Sequence, residues 1–310
     1  MLSKLINKAC FIAGFLLLAA CQGTPQADKL GAQKLTLLPA SKTIENVPFY
    51  PQQEFYCGPT TLAEVFNFHG ATISADEIAP NLFIPGKEGS LQLEMVGASR
   101  RYGFLPYSER GSLSQIMTLI NDDIPVIVFQ NLSIQMLPQW HYALVIGYNK
   151  EERTFTLHTG LTPNHSMSFE LFERTWARAN YWFLAPVPPD VSSQSMNSFV
   201  YTSAAYDLFK IGEPRLAISF LKTATTQWPS EWLAYFLLAN HFVDVDHDAA
   251  IDWFEKGYHV GKFEPAYLNN FAYALIKSKQ YEQATIILTK ALEDFPNNQT
   301  LLKTRGLLPN

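Results

Sequence analysis

The chain has 310 residues with 47% hydrophobic content and a formal net charge of −5 from 23 basic and 28 acidic side chains. That length suggests about two domains with ordinary apolar cores. Scattered lysines and arginines, with no basic stripe, argue against a nucleic-acid partner.

Lys4 and Lys8 precede an apolar run from Ala9 to Ala20 that is short for a bilayer span and fits an export signal over residues 1–20. The run ends in Leu18-Ala19-Ala20-Cys21, which resembles the bacterial lipobox and implies lipidation of Cys21 after cleavage. By the same resemblance the product is lipid-anchored in the cell envelope, with Gln22 pointing to the outer membrane and a body facing the periplasm. Cys10 would leave with the signal and Cys21 would carry lipid, so the mature body keeps one thiol, Cys57. A lone retained cysteine in an exported protein suits a reactive thiol and argues against zinc. Residues 21–44 lack a sustained period and read as a tether.

The stretch Gln52-Gln53-Glu54-Phe55-Tyr56-Cys57-Gly58-Pro59-Thr60-Thr61-Leu62 places Cys57 at the start of a helix. Pro59 suits its first turn, Leu62, Val65, Phe66 and His69 recur at helical spacing, and Gly70 supplies a stop. Backbone N–H groups at that end favour an anion, which predicts thiolate near neutral pH. Ser74 and Glu77 form the pattern of a capping box over a brief helix. Further helices are expected over 91–101, 112–120 and 168–178. Strands are expected over 125–129, 141–148, 154–159 and 181–184. Pairing Tyr148 with Thr154 sets Ala143 opposite Thr159, on the sheet face of His141, with His158 pointing away.

Residues 188–197, rich in Pro and Ser, read as a stiff joint. Beyond it, over 198–310, Ala217, Ala250 and Ala284 recur at spacings of 33 and 34, each followed four residues later by Leu221, Phe254 and Leu288. This is similar to tetratricopeptide repeats, with Gly257 and Lys262 standing where Ala and Pro are expected. The resemblance implies a protein partner for the repeats. His241, His247 and His259 read as packing or surface residues rather than metal ligands.

Two distant pieces, PQQEFYCGPTTLAEVFNFHG and HYALVIGY, together resemble the C39-type cysteine peptidases over residues 45 to 187. The resemblance implies an α+β papain-like cysteine peptidase domain followed by an all-α helical repeat domain, acting on peptide or protein substrates without a cofactor. It implies Cys57 as nucleophile, His141 as general acid and base, and a glutamine amide, Gln52 or alternatively Gln53, beside the oxyanion. The family's Asp or Asn after the histidine is missing. Thr159 fits that position, Asn164 is a substitute, and an inactive descendant is also compatible. A non-catalytic peptide-binding scaffold is the second reading. A cell-wall amidase is the third, which Tyr56 and Gly58-Pro59 around the thiol do not match.

Overall fold

The computed structural model describes residues 23–32, 38–83 and 89–309. The signal segment, Cys21 and part of the expected tether lie outside them. The described residues form two compact units, one drawn from Met1–Ala98 and Ser108–Ala185, the other from Ser99–Tyr107 and Pro186–Asn310. The strip Ser99–Tyr107 joins the second unit through an ion pair between Arg100 and Asp207 at 2.8 Å. Tyr107 Oη also accepts the Asn197 N–H at 2.7 Å.

The first unit opens with α1 (Pro25–Ala32) and β1 (Ser41–Thr43). Both fall where a tether was expected, and both are docked. Glu173, fully buried, accepts the N–H groups of Gln26 and Ala27 at 2.9 and 2.7 Å, so a carboxylate satisfies the free donors of the first helical turn. The strand β1 pairs with the far half of β4 (Trp140–Asn149). Polar composition concealed these elements because their partners come from distant sequence.

Next come α2 (Cys57–Phe68), α3 (Ala75–Ile78, with its capping box formed) and a 3-10 turn at Ala79–Asn81. They are followed by α4 (Gln92–Arg101), β2 (Leu105–Arg110), α5 (Leu113–Asn121) and β3 (Val126–Asn131). After β4 come β5 (Thr154–Thr159), β6 (Thr162–Ser168), α6 (Phe169–Ala177) and β7 (Trp182–Val187). The strands lie in one seven-stranded sheet in the order β2-β7-β3-β4-β5-β6, with β1 beside β4. An antiparallel sheet with helices is the α+β layout of a papain-like domain. Leu62, Val65 and Phe66 of α2 are fully buried, as are Ile127, Val128, Leu144 and Val145 of the sheet.

The β4–β5 register corrects one expectation. Tyr148 faces Phe155, not Thr154, and a bulge between Val145 and Gly147 then shifts the ladder so that Leu144 faces His158. One extra residue in β4 thus returns Ala143 to the level of Thr159.

The second unit is all-helical: α7 (Ser198–Lys210), α8 (Pro214–Gln227), α9 (Trp232–Phe242), α10 (His247–Gly261), α11 (Pro265–Lys277), α12 (Tyr281–Asp294) and α13 (Gln299–Arg305). The recurrent Ala217, Ala250 and Ala284 sit in α8, α10 and α12. All three are fully buried, as are Leu221, Phe254 and Leu288, so the period is a packing repeat. Gly257 departs from alanine for a local reason. A Cβ there would lie 2.4 Å from Tyr267 Oη, which donates to the Phe254 carbonyl at 2.7 Å.

Candidate active site

Cys57 is the first residue of α2, and Gly58 follows it against the neighbouring chain. A Cβ at Gly58 would lie 2.5 Å from Ser90 Oγ, so only glycine lets that segment close over the helix start. The Ser90 carbonyl is held by the Tyr142 hydroxyl at 3.1 Å. The main chain at Tyr142, Gly58 and Cys57 itself acts on the Cys57 thiol to lower its pKa. Since Tyr142 is the neighbour of His141 on β4, this contact brings the thiol to the histidine strand.

His141 Nε2 lies 2.8 Å from Thr159 Oγ1. In the tautomer in which Thr159 accepts from Nε2–H, the lone pair sits on Nδ1. Asn164 is elsewhere. Its main-chain N–H meets His158 Nδ1 at 3.3 Å, and His158 itself is buried against Val47 and Phe49. Among the described residues the hydrogen bond to the His141 ring comes from Thr159 and none comes from Asn164.

The two glutamines are also separated. Gln52 is strapped to Gly160, donating its N–H to the Gly160 carbonyl at 3.0 Å and accepting the Gly160 N–H on Oε1 at 3.2 Å. That leaves Nε2 buried and without a hydrogen-bond partner among the described residues. An unsatisfied buried donor is costly unless something is to be bound. Gln53 is exposed and engages only its carbonyl, with Tyr56 N–H at 3.1 Å. Cys57, His141, Gln52 and Gly160 line one cleft of about 740 Å³, together with Phe129, Trp140 and Tyr142.

The electrostatics overturn the expectation of a ready thiolate. Burial pushes the Cys57 thiol up, and the three backbone hydrogen bonds only partly oppose it. Burial likewise pulls His141 down to about 4. No charged neighbour enters either balance among the described residues, and Thr159 supplies a dipole where a carboxylate would supply charge. Both shifts act in the same direction, favouring the thiol and the neutral imidazole. Tyr142, buried beside Cys57, is pushed upward as well.

Glu64 is a site neighbour outside the sequence expectations. It lies fully buried on α2, accepts Tyr50 N–H at 2.9 Å on Oε1, and is raised to about 8 by burial. A carboxyl inside the run Leu62-Ala63-Glu64-Val65-Phe66 is the signal that could have marked it. Among the described residues no group of three His, Cys, Asp or Glu side chains stands close enough to hold a metal ion.

Comparison with known proteins places this site in context. Residues 44–182 match the Peptidase_C39 like family. Among solved structures, a protein described as a C39-like peptidase from Bacillus anthracis is 16% identical over 50% of this chain and 100% of its own, with a TM-score of 0.42. The peptidase domain of Streptococcus ComA, a bi-functional ABC transporter of a quorum-sensing pathway, is 22% identical over 46% of this chain and 99% of its own, with a TM-score of 0.38. A double-glycine-motif protease from an AMS/PCAT transporter, solved with its leader peptide, is 17% identical over 47% and 99%, with a TM-score of 0.37. No curated protein matches the chain.

Proposed function

We propose, from the match of residues 44–182 to the Peptidase_C39 like family and the site it contains, that this chain is a lipid-anchored envelope cysteine peptidase whose helical repeats recruit a protein partner or substrate. The observation that carries the reading is the convergence on one cleft of Cys57, His141 and the unpartnered Gln52 amide. Thr159 Oγ1 is the hydrogen-bond partner of the imidazole at Nε2.

In this mechanism Cys57 Sγ bonds to the carbonyl carbon of a peptide while its proton passes to His141 Nδ1. The carbonyl π pair moves onto oxygen, where Gln52 Nε2–H and the Cys57 N–H receive it. Collapse of the adduct breaks the C–N bond, and Nδ1–H protonates the departing amine. Water, deprotonated by His141, then hydrolyses the thioester. The neutral resting pair makes proton transfer concerted with attack, which costs rate compared with a stored thiolate. The partner of the repeats, the anchor at Cys21 and the periplasmic location belong to the same proposal.

One observation favours a second reading, a peptide-binding scaffold without turnover: among the described residues no charged group partners His141. The two are separated by incubating the full chain with a tryptic digest of casein and reading new peptide termini by mass spectrometry. Termini that require both Cys57 and His141 support the peptidase. Retention of peptides with no new termini supports the scaffold.

A further inference from the structure

We propose that Glu64 is a positioning residue for the oxyanion site, holding through Tyr50 the short stiff segment that presents the Gln52 amide to the cleft. The inference rests on the oxyanion role given to Gln52 above. Glu64 is a fully buried carboxyl in the middle of α2, seven residues after Cys57, and it has no part in the chemical steps. Its Oε1 accepts the Tyr50 N–H at 2.9 Å. Residues 47–53 form neither strand nor helix, so that N–H has no ladder to enter and a side chain must supply its acceptor. A buried carboxyl is costly where an apolar side chain would serve for packing. Among the described residues its hydrogen bond goes to Tyr50, and Oε2 has no partner.

Between Tyr50 and Gln52 lies Pro51. Its ring fixes its own φ and confines Tyr50 to extended backbone, so the place of Tyr50 sets the place of Gln52, roughly 7 Å further on. The far end of the segment is fixed by the paired hydrogen bonds between Gln52 and Gly160. Upstream, His158 Nε2 meets the Val47 carbonyl at 3.3 Å, and the Phe49 ring lies edge-on to the same imidazole. Those contacts come from β5 and the turn after it. The latch at Tyr50 comes instead from α2, the helix that begins with the nucleophile, where Asn67 Nδ2 also donates to the Tyr50 hydroxyl at 3.0 Å.

The covalent route from Gln52 to Cys57 is a poorer guide. It runs through the turn at 54–56, where Glu54 and Phe55 are exposed and the Phe55 backbone is left-handed, with φ of 64°. Glu64 therefore ties the oxyanion donor to the helix that carries the sulfur, and a donor slightly out of place loses much of its effect on rate. Burial raises the Glu64 carboxyl to about 8, so the neutral acid prevails at neutral pH and a carboxamide is its close mimic. Glu64→Gln keeps an acceptor oxygen for the Tyr50 N–H, whereas Glu64→Met keeps the length of the side chain and removes the acceptor.

The test is steady-state kinetics of the full chain on a peptide selected from the casein digest. For Glu64→Met the expected result is a kcat lowered roughly 10- to 100-fold with KM within about twofold, restored in Glu64→Gln. Added to Gln52→Ala, Glu64→Met should cause no further loss, a coupling that a purely structural role would not show. Losses that multiply in the double variant, or a kcat unchanged by Glu64→Met, overturn the proposal. Should Glu64→Met fail to fold, Pro51→Gly loosens the same segment at an exposed position. Its kcat should fall only while Gln52 is present, and an unchanged kcat, or a fall that persists in Gln52→Ala, overturns the proposal. If the natural chain cuts no peptide, the peptidase reading fails and the positioning is read without turnover, from the NMR order parameter of the Gln52 side-chain amide, assigned by its loss in Gln52→Ala. A value high in the natural chain and in Glu64→Gln but lower in Glu64→Met and Pro51→Gly supports the assignment, and one value throughout overturns it.

Discussion

The hydroxyl of Thr159 lies 2.8 Å from Nε2 of His141, whose cleft Cys57 also lines. A neutral partner at this point orients the imidazole without stabilising its protonated form, and the chemistry of the whole site follows from that difference. Losing the hydrogen bond in Thr159→Val should lower kcat about tenfold, the worth of about 1.4 kcal/mol. Thr159→Asp should raise the His141 pKa and bring thiolate into existence near neutral pH. Alkylation of Cys57 at pH 6 by iodoacetamide, faster in Thr159→Asp than in the natural chain, is the measurement.

Gln52 and Gln53 are separated by a single position but by a large expected effect. Gln52→Ala removes the buried amide that faces the cleft and should reduce kcat roughly 100- to 1,000-fold with little change in KM, as loss of an oxyanion donor does. Gln53→Ala should leave both constants within about twofold, since its side chain is exposed. Steady-state kinetics on a peptide selected from the casein digest decides between them.

The activity profile should be displaced to low pH on its acid side. His141, lowered to about 4 by burial, stays unprotonated and able to accept a proton well below the ordinary imidazole range. The acid limb of kcat/KM should therefore fall near pH 4, and the alkaline limb above the ordinary thiol range because Cys57 is raised. In Thr159→Asp the acid limb should move upward.

Much of this was legible in the chain itself, and the rest was hidden for identifiable reasons. The α2 helix announced itself through Pro59, Leu62, Val65 and Phe66, and β4 and β5 through their alternation, because each buries one continuous face. Thr159 could be chosen from its offset to His141, although the bulge after Val145 was invisible, and Tyr148 was paired one residue away from its true partner. The α1 helix was read as tether because Glu173, which caps it, lies 146 residues from Ala27. The expectation of a thiolate failed at Cys57 because helix-end polarity is local, whereas the burial that outweighs it comes from strands and loops assembled around the helix.

Glu64 should make the fold sensitive to alkali. Its carboxyl is raised from 4.5 to about 8, so between those values the folded chain holds a proton that the unfolded chain has released. Stability contributed by the neutral carboxyl is complete below pH 4.5 and is lost as pH rises through about 8, at a slope of at most about 1.4 kcal/mol per pH unit from this one group. Urea midpoints measured from pH 5 to 9 should decline in the natural chain, and Glu64→Gln should flatten the decline.

The resting state of the thiol is the point on which the mechanism turns, and the pH dependence of Cys57 alkylation by iodoacetamide reads it directly. Peptide-level mass spectrometry would follow the rate in the natural chain and in His141→Ala. A neutral pair predicts rates at pH 6 no higher than those of a free thiol, a single rise above the usual thiol range, and little change at pH 6 on removing His141. A fast plateau below pH 7 that His141→Ala abolishes would mean a preformed thiolate and imidazolium, and would contradict the account.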